Sequence, residues 1–372
     1  MLHDHAGWLT IGAIALVLIV ALGIAGWAAA RPRRGGDGST RPGRWGRRPH
    51  RNEFRPEGTV ADDTPRRRAA VIVNPTKFDN LESVQRRITA RCRELGWQEP
   101  LFISTTEDDP GTGQAKEALS QGVDLVCPLG GDGTVRSVAA GLVGTDTPMG
   151  LLPGGTGNLL ARNLDLPVDD LDDALRVALT GQNKRIDAGE LTLDASGEHE
   201  RPQRHVFVVM AGLGFDAAIM AGAPERLKAT VGPAAYVVSG AKNLRGPQFK
   251  VRIQVDEQEE FSRRTRTVVV GNCGRLLGGL VLMPEAVLDD GLLDTVILSP
   301  QGVVGWAAVA ARIASQRRKG HERVDHHTST QIQVRADRAQ EVQIDGDPIG
   351  KAMAISARVL PGALVVRVGA GS

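Results

Sequence analysis

Two glycine-rich stretches hold most of the chemistry that can be read from this chain. They are Gly130-Gly131-Asp132-Gly133-Thr134 and Pro153-Gly154-Gly155-Thr156-Gly157-Asn158. A glycine turn between a strand and a helix exposes backbone N–H groups at the positive end of the helix, a ready site for phosphate. Asp132 cannot bind phosphate directly, because like charges repel. A carboxylate beside phosphates works through Mg²⁺ or through a polarised hydroxyl. Thr134 can cap the helix or bond a phosphate oxygen. One such stretch alone would equally suit a plain turn with an incidental acid. Its repetition after the next strand favours nucleotide binding, since loops at neighbouring strand ends of a parallel sheet face one crevice. No Walker A pattern is present. Residues 211–217 mimic a dinucleotide fingerprint, but no acid follows about twenty residues on, which argues against that reading.

The elements that must position these loops follow from hydrophobic patterning. "AAVIVNP" from Ala69 is an apolar, β-branched run stopped by Asn-Pro, and reads as a buried strand. Leu81, Val84, Ile88, Cys92 and Leu95 fall at helical spacing, with Gly96 as the stop. "LFIST" is a second strand, 114–122 a helix, and "VDLVCPLGG" a third strand ending at Pro128. "MGLLPGGTGN" supplies a fourth strand. The alternation implies a parallel sheet with right-handed crossovers. Val135, Val138, Ala139 and Leu142 share one face of the helix after the first glycine loop. Residues 168–179 are still helical in pattern. Beyond them, segments such as "HVFVVMAGL", "KVRIQVDE" and "ALVVRVG" alternate with period two, implying a β-sandwich with one helical interlude at 303–317.

The 372 residues allow two ordinary domains, and a net charge of +2 excludes a polycation. No nucleic-acid partner is expected. The three cysteines, Cys92, Cys127 and Cys273, fit neither a zinc spacing nor a disulfide framework, and read as small buried apolar residues. Residues 8–30 carry no charge and have Trp8 and Trp27 near their ends, a pattern expected of one transmembrane helix. A cleaved signal peptide fits less well, because no Lys or Arg precedes the segment. Residues 31–66 are basic and rich in Gly and Pro, a flexible linker whose arginines can meet anionic lipid of the inner leaflet. This charge asymmetry predicts a single-pass protein of the plasma membrane, N-terminus outside and catalytic domain cytoplasmic.

The short motifs come in a definite order: Asn74-Pro75, GGDGT at Gly130, PGGTGN at Pro153, IDAG at Ile186, GLGFDA at Gly212, Gly271-Asn272, DDGLLD at Asp289 and IDGD at Ile344. In this order they resemble the diacylglycerol kinase catalytic-domain family, bacterial lipid kinases related to sphingosine kinases and distantly to NAD kinases. The resemblance spans about Ala69 to Val368. It implies an α/β plus β fold: a Rossmann-like parallel-sheet N-terminal domain at 68–165 and a C-terminal β-sandwich for the lipid at 166–368. The C-terminal end is free to return to the first domain. It implies ATP and Mg²⁺ as cofactors, with ATP between the domains. By position, Asn74, Pro75 and Thr76 lie against the nucleotide. Gly130, Gly131, Asp132, Gly133 and Thr134 hold the triphosphate and its Mg²⁺, while Gly154, Gly155, Thr156 and Asn158 line the same pocket. Asp290 matches a structural Mg²⁺ position. Asp347 occupies the slot of the glutamate that serves the family as general base.

Two departures stand out. Lys77 follows Pro75-Thr76 where the family has a small residue and glycine; it can reach a phosphate or remain solvated. Asp347 is one methylene shorter than the usual Glu, so either the backbone approaches more closely or the acceptor sits differently. The expected function is ATP-dependent phosphorylation of a membrane lipid hydroxyl, diacylglycerol to phosphatidic acid first. A sphingoid base, prenol or glycolipid precursor stays open. So do a NAD-kinase-like small-molecule kinase and a non-catalytic nucleotide-binding membrane protein, and, for assembly, a homodimer.

Overall fold

The computed structural model describes residues 67–194, 202–214, 248–276, 281–301, 305 and 324–370. All of them fall in the compact unit Pro65–Ser372. Among the described residues no helix is long and apolar enough to cross a membrane. The longest has 14 residues, short of the roughly 20 that a bilayer core requires. This corrects the expected single-pass placement in the plasma membrane with a cytoplasmic catalytic domain. The 8–30 span, the 31–66 linker and nearly all of the 303–317 interlude lie outside the described residues.

The N-terminal part is a parallel sheet in the order β2-β1-β3-β4, built from β1 (Ala69–Val73), β2 (Leu101–Ser104), β3 (Leu125–Gly130) and β4 (Leu152–Pro153). Helices cover both faces, which is why β1 is buried throughout. Ala70, Ile72 and Val126 share a core with Ala115 and Ala118 of α2 (Thr112–Ser120) and with Val135, Val138 and Leu142 of α3 (Asp132–Leu142). Val71, Val73, Leu125 and Leu129 face α1 (Leu81–Glu94) and α5 (Leu171–Thr180) through Ile88, Cys92, Leu175 and Leu179. Asn80 caps α1 by accepting from Ser83 N–H, and Gly96, with φ +77°, follows its end. α5 starts at Leu171 rather than 168, because Asp170 accepts from the N–H groups of Asp172 and Asp173. β3 runs past Pro128 to Gly130, so the first glycine loop begins at the strand end itself.

Among the described residues the C-terminal part is an antiparallel sheet of ten strands. Its members are β5 (Gln182–Asp194), β6 (Gln203–Phe207), β7 (Met210–Leu213), β8 (Phe249–Val255), β9 (Phe261–Thr265), β10 (Thr267–Gly271), β11 (Leu293–Leu298), β12 (Val324–Ser329), β13 (Gln331–Ile344) and β14 (Asp347–Val368). The sheet branches at β13, which pairs along its length with β14. Its first half also pairs with β8, and its last residues with β7. A bulge between Arg335 and Gln340 separates the halves. Such insertions bend strands and let wide sheets curl over a core. Phe249, Val251 and Ile253 of β8 thus share a core with Val268 and Val270 of β10.

The long β14 also returns to the parallel sheet. Met149 N–H donates to Val365 O (2.8 Å), Arg367 N–H donates to Met149 O (2.9 Å), and Met149 bridges to Val126. All three cysteines are free and buried, and burial pushes the Cys92 thiol up to about 11.

Candidate active site

With strand order β2-β1-β3-β4, the chain reverses its winding between β1 and β3. Ligands of open parallel sheets bind outside the strand ends at such a point. Asn74 follows β1 there and donates its N–H to Leu129 O on β3 (3.1 Å). Its side-chain oxygen accepts from Thr76 N–H (3.1 Å) and Thr76 Oγ1 (2.7 Å), closing a short 3₁₀ turn over Pro75–Lys77. Pro75, Thr76 and Lys77 are all exposed.

The two glycine loops lie backbone against backbone. Gly154 N–H donates to Gly130 O (3.1 Å). A Cβ added at Gly154 would sit 2.7 Å from Gly130 N, and one at Gly155 would sit 2.7 Å from Gly131 Cα. These two glycines are therefore required by the packing of the loops themselves. Gly131 differs: its φ is −88°, and an added Cβ would meet nothing within 4 Å. Thr134 is buried beneath Gly130, and no side chain caps α3.

Asp132 is the tie between the loops. Its carboxylate accepts from Leu159 N–H (2.6 Å) and Asn158 N–H (3.1 Å). Both lie at the start of α4 (Leu159–Asn163). A side chain at Gly157 would collide with that carboxylate. Asn158, left-handed at φ 49°, donates Nδ2–H to Gly155 O (2.8 Å) and holds the second loop closed. Burial pushes the Asp132 carboxyl up, the Leu159 and Asn158 amides pull it down, and the charge of Asp347 pushes it up again. Thr156 is exposed on the same loop.

Asp347 arrives from the far end of the chain. Asp345 and Gly346 have φ of 48° and 93°, and form a two-residue hairpin turn joining β13 to β14. Asp347 opens β14, and a Cβ at Gly133 would lie 2.9 Å from its Oδ2. The same Oδ2 is 3.0 Å from Arg136 Nη2, and Arg136 Nη1–H donates to Ile344 O (2.6 Å). Asp132, Asp347 and both glycine loops thus converge on the N-terminal end of α3.

Asp290 belongs to another neighbourhood. It is exposed, and its Oδ1 accepts from Leu292 N–H two residues on (3.0 Å). Burial, followed by the nearby Asp290 charge, pushes the Asp294 carboxyl up to about 6. Among the described residues no group of three His, Cys, Asp or Glu is placed to hold a metal.

Three residues were not singled out from sequence. Asp345 is buried and accepts from the N–H groups of Val208 (3.1 Å), Val209 (2.9 Å) and Met210 (2.8 Å). Asp187, from IDAG, accepts from Gly291 N–H (2.7 Å) and Gly362 N–H (2.6 Å), while Asn272 Nδ2–H donates to its carbonyl (2.8 Å). IDAG, Gly271-Asn272 and DDGLLD are thus fastened together. The third is Arg136; the available signal was a cation one helical turn after Asp132.

Comparisons with known proteins bear on this arrangement. The family description "Diacylglycerol kinase catalytic domain" matches residues 68–191, and "YegS C-terminal NAD kinase beta sandwich-like domain" matches 208–368. A protein of Klebsiella pneumoniae named "Probable lipid kinase YegS-like" is 30% identical over 258 residues, 68% of this chain and 80% of that one. The chain belongs to the diacylglycerol kinase catalytic-domain family. A diacylglycerol kinase of Staphylococcus saprophyticus is 26% identical over 292 residues, 77% of this chain and 90% of that one. A crystal structure of a diacylglycerol kinase from Bacillus anthracis has the same fold. Its TM-score is 0.60 at 20% identity, covering 82% of this chain and 97% of that one. This member of the family is therefore a lipid kinase, which sets the small-molecule-kinase alternative aside.

Proposed function

We propose that this lipid kinase transfers the γ-phosphoryl group of ATP to the hydroxyl of a membrane lipid, diacylglycerol first, giving phosphatidic acid. The observation that carries the reading is the approach of Asp347 to Gly133, which sets a carboxylate acceptor against a phosphate-binding helix end. In the reaction the lipid hydroxyl oxygen forms a bond to the γ-phosphorus, the bond to the β-phosphate oxygen breaks, and ADP leaves. Asp347 takes the hydroxyl proton, since its side chain is half exposed and reaches open space. The glycine loops contribute backbone N–H groups for the phosphate oxygens.

The donors present fit Mg²⁺, which asks for one or two carboxylates and takes its remaining ligands from phosphate and water. Asp132 would hold it, because the backbone N–H groups on its carboxylate leave lone pairs for a cation. When bound, the cation neutralises charge on the phosphates.

Two outcomes check this reading. Asp347→Asn keeps the fold and ATP binding while kcat falls about 10³-fold; undiminished turnover would remove Asp347 as the base. The glycines separate packing from binding. Gly131→Ala melts like the parent but raises KM for ATP about tenfold or more. Gly155→Ala lowers the melting temperature, since its Cβ would meet Gly131 Cα. Equal ATP affinity in parent and Gly131→Ala would contradict phosphate contact at that loop.

A further inference from the structure

We infer that Arg136 is the positioning residue for the acceptor: its guanidinium holds the Asp347 carboxylate in register with the first glycine loop. The inference rests on the reading of Asp347 as the base. One prong of the fork donates to Ile344 O (2.6 Å), and the other pairs with Asp347 Oδ2 (3.0 Å). Ile344 and Asp347 are the paired residues on either side of the Asp345–Gly346 turn. A single side chain therefore clamps both feet of the hairpin.

The other end of Arg136 is fixed on α3, one turn after Asp132. The phosphate-facing loop and the acceptor, far apart in sequence, are thus linked by one helical turn and one side chain. Exposure is divided as positioning requires. The Arg136 side chain is 17% exposed and that of Asp347 is 53%. The cation is held inside and the acid faces the open side. The Arg136 pairing and the approach to Gly133 both fall on Asp347 Oδ2.

The charges around the pair suit this role. Asp132 lies at the start of the same helix, and Asp345 sits buried in the turn itself. His205 on β6 is held below the usual histidine range by burial and then by the Arg136 charge. A planar fork fixes the direction of a carboxylate, which a lysine ammonium does not. Directional control matters more for an aspartate, whose short reach tolerates less misplacement than a glutamate would.

The test is a double-mutant cycle in the full chain, with ATP, Mg²⁺ and diacylglycerol-containing vesicles. Arg136→Gln should lower kcat about 100-fold, the cost of roughly 1 Å of misplacement. KM for ATP should change by no more than about twofold. Arg136→Lys should recover about tenfold of the loss, since it restores the charge without the fork. In the Asp347→Asn background, Arg136→Gln should cost no more than about a further twofold. Losses that multiply in the double variant overturn the inference, as does a raised KM for ATP at full kcat. If Arg136→Gln does not melt cooperatively, Arg136→Lys carries the same cycle. Undiminished turnover of Asp347→Asn alone overturns the base reading, and is seen before the cycle is closed.

Discussion

Asp132→Asn abolishes phosphoryl transfer, by more than about 10⁴-fold, and leaves a folded protein. Both halves of this expectation follow from where the carboxylate sits. It lies between the two glycine loops, buried, with Leu159 N–H on one oxygen and Asn158 N–H on the other. Asparagine keeps the shape and one acceptor, but turns an amide donor toward the other N–H. The lost hydrogen bond costs about 1–2 kcal/mol, enough to lower the melting temperature by a few degrees and not enough to unfold the chain. The lost negative charge removes the group that would face Mg²⁺. Turnover near the parent level in the folded variant would refute the assignment. Inactivity matched by loss of a cooperative melt would show that Asp132 serves only to tie the loops.

Asp345→Ala is the most destabilising single change expected, about 3–5 kcal/mol. Asp345 accepts three backbone N–H groups at the break between β6 and β7. Alanine strands all three in the interior, where each unpaired group carries its own desolvation cost. Chemical denaturation measures the loss; a change under about 1 kcal/mol would mean that water replaces the carboxylate. The same residue sets a pH dependence. Burial pushes its carboxyl up to about 6, although the Met210 and Val208 amides, Arg136 and the Val209 amide pull it down. An unfolded aspartate titrates near about 4. Between these values the folded chain binds more protons than the unfolded one, so this residue's contribution to stability falls as pH rises through that window. Asp294, also pushed up to about 6, acts in the same direction. The stability difference between parent and Asp345→Ala should therefore shrink from pH 4 to pH 6.

The parts of the site legible in sequence were those set by local chemistry. Glycine next to acid at a strand end reads as an anion site because the physics is contained in five residues. The parallel sheet reads equally well, since buried β-branched runs such as Ala69–Val73 alternate with amphipathic helices. Long-range fastening was not legible. Asp345 and Asp347 stand two residues apart in IDGD, yet one is buried under three amides and the other opens toward the glycine loops. Nothing local separates the buried aspartate from the exposed one; the twist of the hairpin turn does. Pro361-Gly362 similarly reads as a turn between two strands. It is a bulge within β14, held by Asp187 through Gly362 N–H. β12, "VDHHTS", gives no strand signal in the sequence because it is a polar edge strand with little alternation to detect.

The proposed reaction brings ATP and a bilayer lipid together at the convergence of Asp132, Asp347 and the two glycine loops. The most direct measurement supplies the chain with Mg²⁺ and ATP labelled on its γ-phosphoryl group. Separate arms hold vesicles containing diacylglycerol, a sphingoid base or a prenol, and NAD in solution. The proposed reaction puts label in phosphatidic acid in the diacylglycerol arm, and Asp347→Asn removes it. Label in NAD, or release of inorganic phosphate with no labelled lipid in any arm, would contradict it.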